Sequence, residues 1–209
     1  MPRAMLILLG TLMALSVAVA TGWTGPLDAA VANAVVAVRS PLLTYIATSF
    51  TALGSEPVVT LVAVIAVLYC IGAGRARLVF TLLWIPLTFL LSTLVKLLVH
   101  RPRPLQALIV IPAGYSFPSG HAAAASALFL TLALLATDAE RRAGPRRFLI
   151  GAALLLAVLV AWSRVYLGVH YFSDVVGGLL LGSAGAVAAT AVVRRSDSRS
   201  GVQALGSPE

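Results

Sequence analysis

Apolar runs of about twenty residues, separated by short polar breaks, dominate this chain of 209 residues. A helix needs about 20 apolar residues to cross the hydrocarbon core of a bilayer, and it must satisfy its backbone hydrogen bonds internally. Hydrophobic residues make up 60% of the sequence and charged residues 11%, which excludes a soluble globular protein. The pattern predicts an all-α membrane protein, a six-transmembrane-helix bundle that forms one compact unit.

The predicted spans lie at about residues 4–23, 57–71, 78–99, 121–137, 148–162 and 173–193. The break from residue 24 to 55 is less polar than the others, and we expect two short interfacial helices there. Asp28 suits the first turn of the first of them, which Arg39-Ser40-Pro41 ends. Pro86 predicts a kink in the third span, because proline removes a helical hydrogen bond.

The sequence divides into three parts. Residues 1–25 hold the first span, for which we weigh two readings, an uncleaved helix and a signal peptide. Ala18-Val19-Ala20 resembles a small-x-small cleavage site, but the length of the run favours an uncleaved helix. Residues 26–193 form a core with the interfacial helices and five further spans. Residues 194–209 are polar, and we expect them to form a disordered cytoplasmic tail.

Basic residues are distributed unequally between the two faces of the predicted bundle. With the N-terminus inside, ten of the fifteen lie in cytoplasmic segments, so the positive-inside rule places both termini in the cytoplasm. These ten are Arg3, Arg75, Arg77, Arg141, Arg142, Arg146, Arg147, Arg194, Arg195 and Arg199. This topology explains the net charge of +8 without a nucleic-acid partner, since no basic stripe interleaved with aromatic residues is present.

The opposite, extracytoplasmic face holds five basic residues and all three histidines. The basic residues are Arg39, Lys96, Arg101, Arg103 and Arg164, and the histidines are His100, His121 and His170. Four of the five positive charges cluster around two loops, against the direction that topology favours. They therefore need another reason to be there, and we expect the polar chemistry of the chain on this face.

A polar stretch from Trp162 to Asp174 separates the last two spans. His170 and Asp174 are four residues apart, so on a helix they share one face. A carboxylate beside an imidazole fixes its tautomer, stabilises its charged form and leaves the other nitrogen free to attack. Arg164 offers a forked, permanently charged donor suited to phosphate. The alternative is a juxtamembrane cluster that only anchors a helix end.

Two further segments bring polar groups to the same face. Lys96 and Arg103 place two cations at the mouth of the bundle. Ser119 and Gly120 precede the fourth span, where free backbone N–H groups and the helix dipole favour an anion. The alternative reading of Ser119 is that it only caps that helix. With His121 standing over the same anion as an acid, the segments together describe a phosphate site with an acid and a nucleophile.

These motifs resemble those of the type 2 phosphatidic acid phosphatase superfamily, which also includes vanadium haloperoxidases. They occur in the family's order as Lys96 with Arg103-Pro104, then Pro118-Ser119-Gly120-His121, then Ser163-Arg164 with His170 and Asp174. Three complete motifs in order are a specific signal, whereas Pro-Ser-Gly-His alone would be weak. The resemblance covers about residues 26–193, and it identifies this core with the lipid phosphatase core of the family.

The resemblance implies a metal-independent lipid phosphatase without a cofactor. His170 would attack phosphorus to give a phosphohistidine, Asp174 would orient His170, and His121 would protonate the leaving group. The phosphoryl oxygens would be held by Lys96, Arg103, Ser119, the Gly120 backbone and Arg164. His100 and Arg101 match no signature position, so we interpret His100 as interfacial structure and Arg101 as a headgroup or rim charge.

The expected partners are the bilayer and a membrane lipid phosphate, such as undecaprenyl diphosphate, phosphatidylglycerol phosphate or phosphatidic acid. The expected location is the cell membrane, with the active site on its extracytoplasmic side. The sequence leaves the lipid and the oligomeric state open. Two alternatives remain, a phosphotransferase that uses a lipid donor and a non-catalytic lipid-binding or transport protein of the same fold. Haloperoxidase activity is less expected, since its soluble members lack this span pattern.

Overall fold

The computed structural model describes residues 3–75, 78–110, 113–137 and 143–205, and the regular structure within these ranges is helical. In chain order the helices are α1 (Arg3–Ala20), α2 (Gly25–Ala37), α3 (Pro41–Leu53), α4 (Glu56–Gly72), α5 (Val79–Leu82), α6 (Trp84–Val99), α7 (Gly120–Ala136), α8 (Ala143–Tyr166) and α9 (Phe172–Leu205). Arg77, Arg141 and Arg142, which the topology prediction counts as cytoplasmic, lie outside the described residues. The all-α class predicted from the sequence is confirmed.

Helix α7 lies at the centre of the bundle, and its first turns are almost completely buried against α9. Two glycines of α9 make this contact close. A Cβ at Gly178 would lie 2.5 Å from the carbonyl oxygen of Ser119, and one at Gly182 would lie 2.1 Å from Oγ of Ser126. The small-xxx-small spacing of these glycines therefore sets the distance between α7 and α9, which brings the starts of both helices together.

Four helical segments are long and apolar enough to cross a membrane, within the described ranges. They are Arg3–Ala20, Val79–Val99, Ala143–Tyr166 and Phe172–Val193. Helices α3 and α4 make a fifth if they are taken as one span bent by 44°. Helix α7, predicted as the fourth span, has 17 residues and falls among the shorter apolar helices. A multi-pass membrane protein is confirmed, and the count of six spans is not.

The third predicted span is interrupted, as Pro86 led us to expect. Helix α5 ends at Leu82 and α6 begins at Trp84. Pro86 has no N–H to donate to the carbonyl of Leu82, four residues earlier, so the regular helical ladder is lost at this point. The two pieces still form one candidate span, Val79–Val99.

Two helices end or begin differently from the prediction. Helix α8 continues past Trp162 to Tyr166, which places Arg164 on its last turn. Helix α9 continues to Leu205, into the tail for which the sequence predicts disorder, while residues 206–209 lie outside the described residues. No proline follows Val193 before residue 208, so every residue from 194 to 205 has the N–H that continues the hydrogen-bond ladder.

The two predicted interfacial helices are α2 and α3, and both pack at the end of the bundle that carries the motifs. Ser40 caps α3, because its Oγ accepts a hydrogen bond of 3.3 Å from the N–H of Leu43. The hydroxyl of Tyr166, at the end of α8, accepts from the N–H of Ser40 at 2.9 Å and donates to the Ser40 carbonyl at 3.1 Å. The α2–α3 turn is thus fixed to the segment that precedes His170.

Candidate active site

The loop before α7 is joined by its backbone to the start of α9. The N–H of Ser119 donates to the carbonyl of Asp174 at 2.9 Å, and the N–H of Ser116 donates to the carbonyl of Arg101 at the same distance. Ser119 is completely buried, and its Oγ accepts weakly from the N–H of Ala122 at 3.5 Å. The capping role that we weighed for Ser119 is therefore present, on the same helix end that the sequence predicts as an anion site.

His170 and Asp174 meet side chain to side chain. The Nδ1 atom of His170 lies 3.4 Å from Oδ2 of Asp174, and Nε2 lies 3.2 Å from Nη1 of Arg103. A guanidinium only donates hydrogen bonds, so Nε2 is the acceptor and the ring proton belongs on Nδ1, facing the carboxylate. This tautomer leaves Nε2 unprotonated, as a nucleophile toward phosphorus requires, and in this structure its lone pair accepts from Arg103.

The contact arises from a different local structure than we predicted. His170 lies in the turn that follows α8, and Asp174 lies in the first turn of α9, so the two residues do not share a helix face. The turn is compact because Gly168 has a φ of 72° and the N–H of Tyr171 donates to Oδ2 of Asp174 at 2.9 Å. The spacing of four residues therefore predicted Asp174 correctly as the partner of His170, although the two side chains do not meet on one helix face.

Burial keeps His170 neutral. Its side chain is removed from water, which lowers the pKa to about 4, and the charges of Arg103 and Lys96 lower it as well, against the opposing effect of Asp174. At neutral pH the imidazole therefore keeps its lone pair without help from a separate base. This is the protonation state that a nucleophilic histidine needs.

This pKa leads to a prediction for the pH profile. If His170 is the nucleophile, its protonation removes the attacking lone pair, so kcat/KM for p-nitrophenyl phosphate should fall as the pH drops toward about 4. Arg103→Gln removes a cation that lowers the pKa of His170, so its acid limb should move to higher pH. Arg103→Lys keeps the charge and should leave the limb near its wild-type position. An acid limb that is the same in Arg103→Gln and wild type would contradict the assignment.

Lys96 directs its three N–H groups to one loop. Its Nζ donates to the carbonyls of Tyr115 at 3.1 Å, Ser116 at 3.3 Å and Pro118 at 2.5 Å. An ammonium has three donors, so the loop carbonyls use all of them. In this structure Lys96 shapes the segment that leads into Ser119, besides bringing positive charge to the site.

Arg164 is almost completely buried, with 2% of its surface exposed. Its Nη1 donates to Oγ1 of Thr51 at 2.6 Å, while its buried Nε has no hydrogen-bond partner within the described part of the chain. A buried guanidinium donor without a protein acceptor is suited to an anionic ligand, which it can bind in a forked geometry. Thr51, in α3, was not predicted, and its contact shows how an interfacial helix orients a cation of the third motif.

His121 is the second residue of α7 and lies within electrostatic reach of the other predicted groups. It interacts with Arg164, His170, Arg103 and Lys96. Gly54 packs against it, since a Cβ at that position would lie 3.0 Å from the carbonyl oxygen and 3.4 Å from Cβ of His121. The structure thus brings the residues of all three motifs to one place, at the joint between α3, α7 and α8.

Our interpretation of Arg101 as a headgroup or rim charge is wrong. Its Nη2 donates to Oδ2 of Asp28 at 2.6 Å, and its Nη1 donates to Oδ1 of Asp174 at 2.7 Å. Burial lowers the pKa of Arg101, but the two carboxylates outweigh this effect and raise it above its usual value. Asp28, which we read only as a favourable charge in a helix turn, is 2% exposed and belongs to the same network.

A sequence signal for Asp28 was available. It is one of two acidic residues before residue 138, in a largely apolar segment, and such a carboxylate needs a buried partner. The ring of His100 contacts that of Tyr115 at a centroid distance of 4.5 Å, and the interpretation of His100 as interfacial structure stays a prediction. As for metals, no group of three or more His, Cys, Asp or Glu side chains that could hold an ion occurs among the described residues.

The structure thus defines a polar site at one end of a helical membrane bundle, with an arrangement suited to binding an anion and to attack by an imidazole. The model of the PAP2 superfamily matches residues 78–198 of the chain. Phosphatidylglycerophosphatase B of Bacillus subtilis is 34% identical over 175 residues, which cover 80% of this chain and 84% of the relative. The chain belongs to the PAP2 superfamily. This confirms the family predicted from the three motifs and, with it, the prediction of a phosphatase.

Two solved structures resemble the fold. A transmembrane PAP2-type phosphatidylglycerolphosphate phosphatase from Bacillus subtilis has a TM-score of 0.75 at 28% identity, with 93% of this chain and 96% of that chain covered. LpxE of Aquifex aeolicus has a TM-score of 0.57 at 27% identity, with 78% and 92% covered. A shorter match links residues of this chain to an undecaprenyl-diphosphatase of Sulfolobus acidocaldarius, at 44% identity over 72 residues, or 34% of this chain and 31% of that one.

Proposed function

We propose that this protein hydrolyses a lipid phosphomonoester or diphosphate through a phosphohistidine on His170, at the extracytoplasmic face of the cell membrane. The observation that carries the proposal is the orientation of the His170 ring, with Nδ1 toward Asp174 and Nε2 toward Arg103. Relatives that match the chain are named as phosphatases of phosphatidylglycerophosphate and of undecaprenyl diphosphate, which supports a lipid phosphate as the substrate class.

In the first step Nε2 of His170 attacks phosphorus, and the bond between phosphorus and the leaving oxygen breaks. The bonding electrons pass to that oxygen, and His121 supplies its proton. Asp174 faces the ring nitrogen that carries positive charge in the phosphohistidine. In the second step water attacks phosphorus, His121 takes a proton from it, and the bond to Nε2 breaks to release phosphate and the neutral imidazole.

The phosphoryl oxygens are held by the cations and the start of α7. Arg103 lies against Nε2, and Arg164 presents its buried guanidinium from α8. Ser119 and the N–H of Gly120 stand at the helix N-terminus, where the dipole favours negative charge. Lys96 adds a third cation, and direct contact with phosphate requires one of its carbonyl bonds to be exchanged. We expect these groups to hold the phosphoryl group without a metal or a cofactor.

An apolar groove between α4 and α5–α6 is the place that we assign to the lipid tail. Its volume is about 380 Å³, and its walls include Ala63, Val64, Val67, Leu82, Ile85 and Phe89. Glu56 also lines it, two residues after Gly54, which packs against His121. A tail in the groove would therefore lead from the site into the apolar part of the bundle.

The assignment of this groove to the lipid tail can be tested by a substitution that fills the groove. Val67→Trp places a large ring inside it, and we expect the activity on a long-chain lipid phosphate to fall about tenfold or more, the scale of 1.4 kcal/mol of lost binding. Activity on p-nitrophenyl phosphate, which has no tail, should stay near wild type. Ile65→Trp is the matched control, because Ile65 is 57% exposed and lies outside the groove walls. Equal effects of the two variants on the lipid would contradict the assignment.

We further propose six spans, with both termini in the cytoplasm, by counting α4, which follows the interfacial helix α3, and α7 as spans beside the four long segments. This topology places the motifs outside, as the distribution of basic residues favours. A cysteine at Leu105, which is 93% exposed, should react with a membrane-impermeant reagent added outside intact cells. A cysteine at Ala73 should react only after permeabilisation. Both belong in a Cys70→Ser background, and the reverse labelling would overturn the proposed orientation.

The proposed function is tested by phosphate release from purified protein. The panel comprises phosphatidylglycerol phosphate, phosphatidic acid and undecaprenyl diphosphate, each with excess EDTA. We expect release from at least one of these lipids, and inhibition by vanadate as a phosphate mimic. Loss of activity in EDTA with recovery in Mg²⁺ would contradict the mechanism. Phosphate recovered on an added alcohol in place of free phosphate would favour the phosphotransferase alternative.

A further inference from the structure

We propose that Arg101 and Asp28 form a positioning pair that sets the orientation of Asp174 and, through it, of the nucleophile His170. The inference rests on the proposed function, because it assigns the pair a role in the formation of the phosphohistidine. Neither residue belongs to the three motifs, and neither reaches the phosphate-binding groups through a described hydrogen bond.

The Asp174 carboxylate is held at both of its oxygens. Arg101 binds Oδ1 at 2.7 Å, while the N–H of Tyr171 binds Oδ2 at 2.9 Å. These two contacts fix the rotation of the carboxylate, so that Oδ2 is the oxygen that faces Nδ1 of His170. Because that contact is long, at 3.4 Å, a small rotation of Asp174 is enough to lose it.

Arg101 is held in turn by Asp28. The guanidinium binds Oδ2 of Asp28 at 2.6 Å and Oγ of Ser173 at the same distance, and it lies 4.1 Å from the centroid of the Tyr171 ring. Asp28 also accepts from the N–H of Ser173 at 2.9 Å and from its hydroxyl at 2.7 Å. Helix α2 is thereby tied to the first turn of α9, directly beside Asp174.

The charges of the network match the reaction. Two carboxylates, each at most 2% exposed, share one guanidinium, so the cluster carries one net negative charge beside His170. That charge favours the positive imidazole ring of the phosphohistidine over the neutral ring of the resting state. Without Arg101 two buried carboxylates lack their counter-ion, and Asp174 is free to turn from His170.

A purely structural ion pair is the competing explanation, and it makes a different kinetic prediction. A structural role lowers the amount or the thermal stability of folded protein, and it leaves the chemistry of the folded fraction unchanged. A positioning role lowers kcat for formation of the phosphohistidine and leaves the binding of phosphate nearly unchanged. Measuring kcat, phosphate binding and thermal stability separately for the same variant therefore distinguishes the two explanations.

The test uses full-length protein in detergent, p-nitrophenyl phosphate as substrate and inorganic phosphate as the ground-state probe. We expect Arg101→Met to lower kcat on the order of 10–100-fold, the scale for groups that orient a reacting ligand. The inhibition constant of phosphate should change less than about threefold, a tolerance below 1 kcal/mol. Arg101→Lys keeps the charge without the fork, so it should recover part of kcat.

Asp28→Asn keeps the shape of the side chain and is expected to lower kcat less than Arg101→Met does. In the Arg101→Met background it should cause no further loss, because Asp28 acts through Arg101 and the effects of coupled residues do not add. Arg39→Met is the matched control. Arg39 is an arginine of the same face that donates to the carbonyls of Gln106 and Tyr166, so its loss should lower thermal stability and leave kcat near wild type.

Three results would overturn the inference. They are a wild-type kcat in folded Arg101→Met, a rise in the phosphate inhibition constant that matches the fall in kcat, and additive losses in the double variant. If Arg101→Met does not fold, Arg101→Lys and Asp28→Asn decide the question by the same two measurements. If wild-type protein releases no phosphate from any substrate, the proposed function has failed, which is distinguishable from variants that equal an active wild type.

Discussion

Replacement of His170 by asparagine is expected to abolish phosphate release from every substrate. The side chain supplies the atom that attacks phosphorus, and asparagine offers no comparable nucleophile at this position. The expected loss in kcat is on the order of 10⁶-fold, as for other enzymes that lose the residue forming the covalent intermediate. It should be the same for a lipid phosphate and for p-nitrophenyl phosphate, because both must pass through the phosphohistidine.

His100→Asn is the matched control for this variant. His100 lies at the same end of the bundle, at the end of α6, with a φ of 53°. Asparagine tolerates this left-handed conformation, so the substitution should leave both folding and activity close to wild type. Measurable turnover in folded His170→Asn, beyond the level of contaminating phosphatases, would mean that another residue is the nucleophile.

His121→Ala is expected to show a loss that depends on the leaving group. A lipid alkoxide is strongly basic and needs a proton as it departs, whereas p-nitrophenolate departs readily without one. The variant should therefore lose roughly 10²–10⁴-fold on a lipid monophosphate, the usual contribution of general acid catalysis. Its loss in the rate of p-nitrophenol release in the first turnover should be much smaller.

The measurement compares wild type and His121→Ala on both substrates in single-turnover and steady-state experiments. A burst of p-nitrophenol followed by slow turnover would show that His121 is needed again, to activate the water that cleaves the phosphohistidine. Equal losses on the two substrates would indicate that His121 only binds phosphate. The role of the acid would then have to be assigned to another group.

Much of the fold follows from the length and polarity of the runs. A span of about twenty apolar residues must form a helix, because its backbone hydrogen bonds have to be satisfied within the membrane. The spacing of Gly178 and Gly182 predicts a close helix contact. Sequence length does not reveal how deep a helix is buried. Helix α7 has 17 residues, begins at the central site and is buried along its first turns.

The sequence predicted those site residues that belong to motifs of nearby residues. The three motifs contain the predicted phosphate-binding cations and the two histidines assigned to catalysis, and the structure places these residues together. Arg101 is 73 residues away in the sequence from both Asp28 and Asp174. Ser173 and Asp28, which are hydrogen-bonded, are 145 residues apart. Spacing rules describe neighbours on one helix, so they assign no partner to a charge whose acceptor lies on a distant element.

The most direct test of the account is to trap the covalent intermediate. Protein is mixed with ³²P-labelled substrate, quenched within the first turnover, digested and examined for the labelled residue by mass spectrometry. The account predicts an acid-labile, alkali-stable phosphoryl group on the peptide that contains His170. The label should accumulate further in His121→Ala and be absent from His170→Asn. Phosphate release at the wild-type rate without any labelled histidine, or a label on another residue, would contradict it.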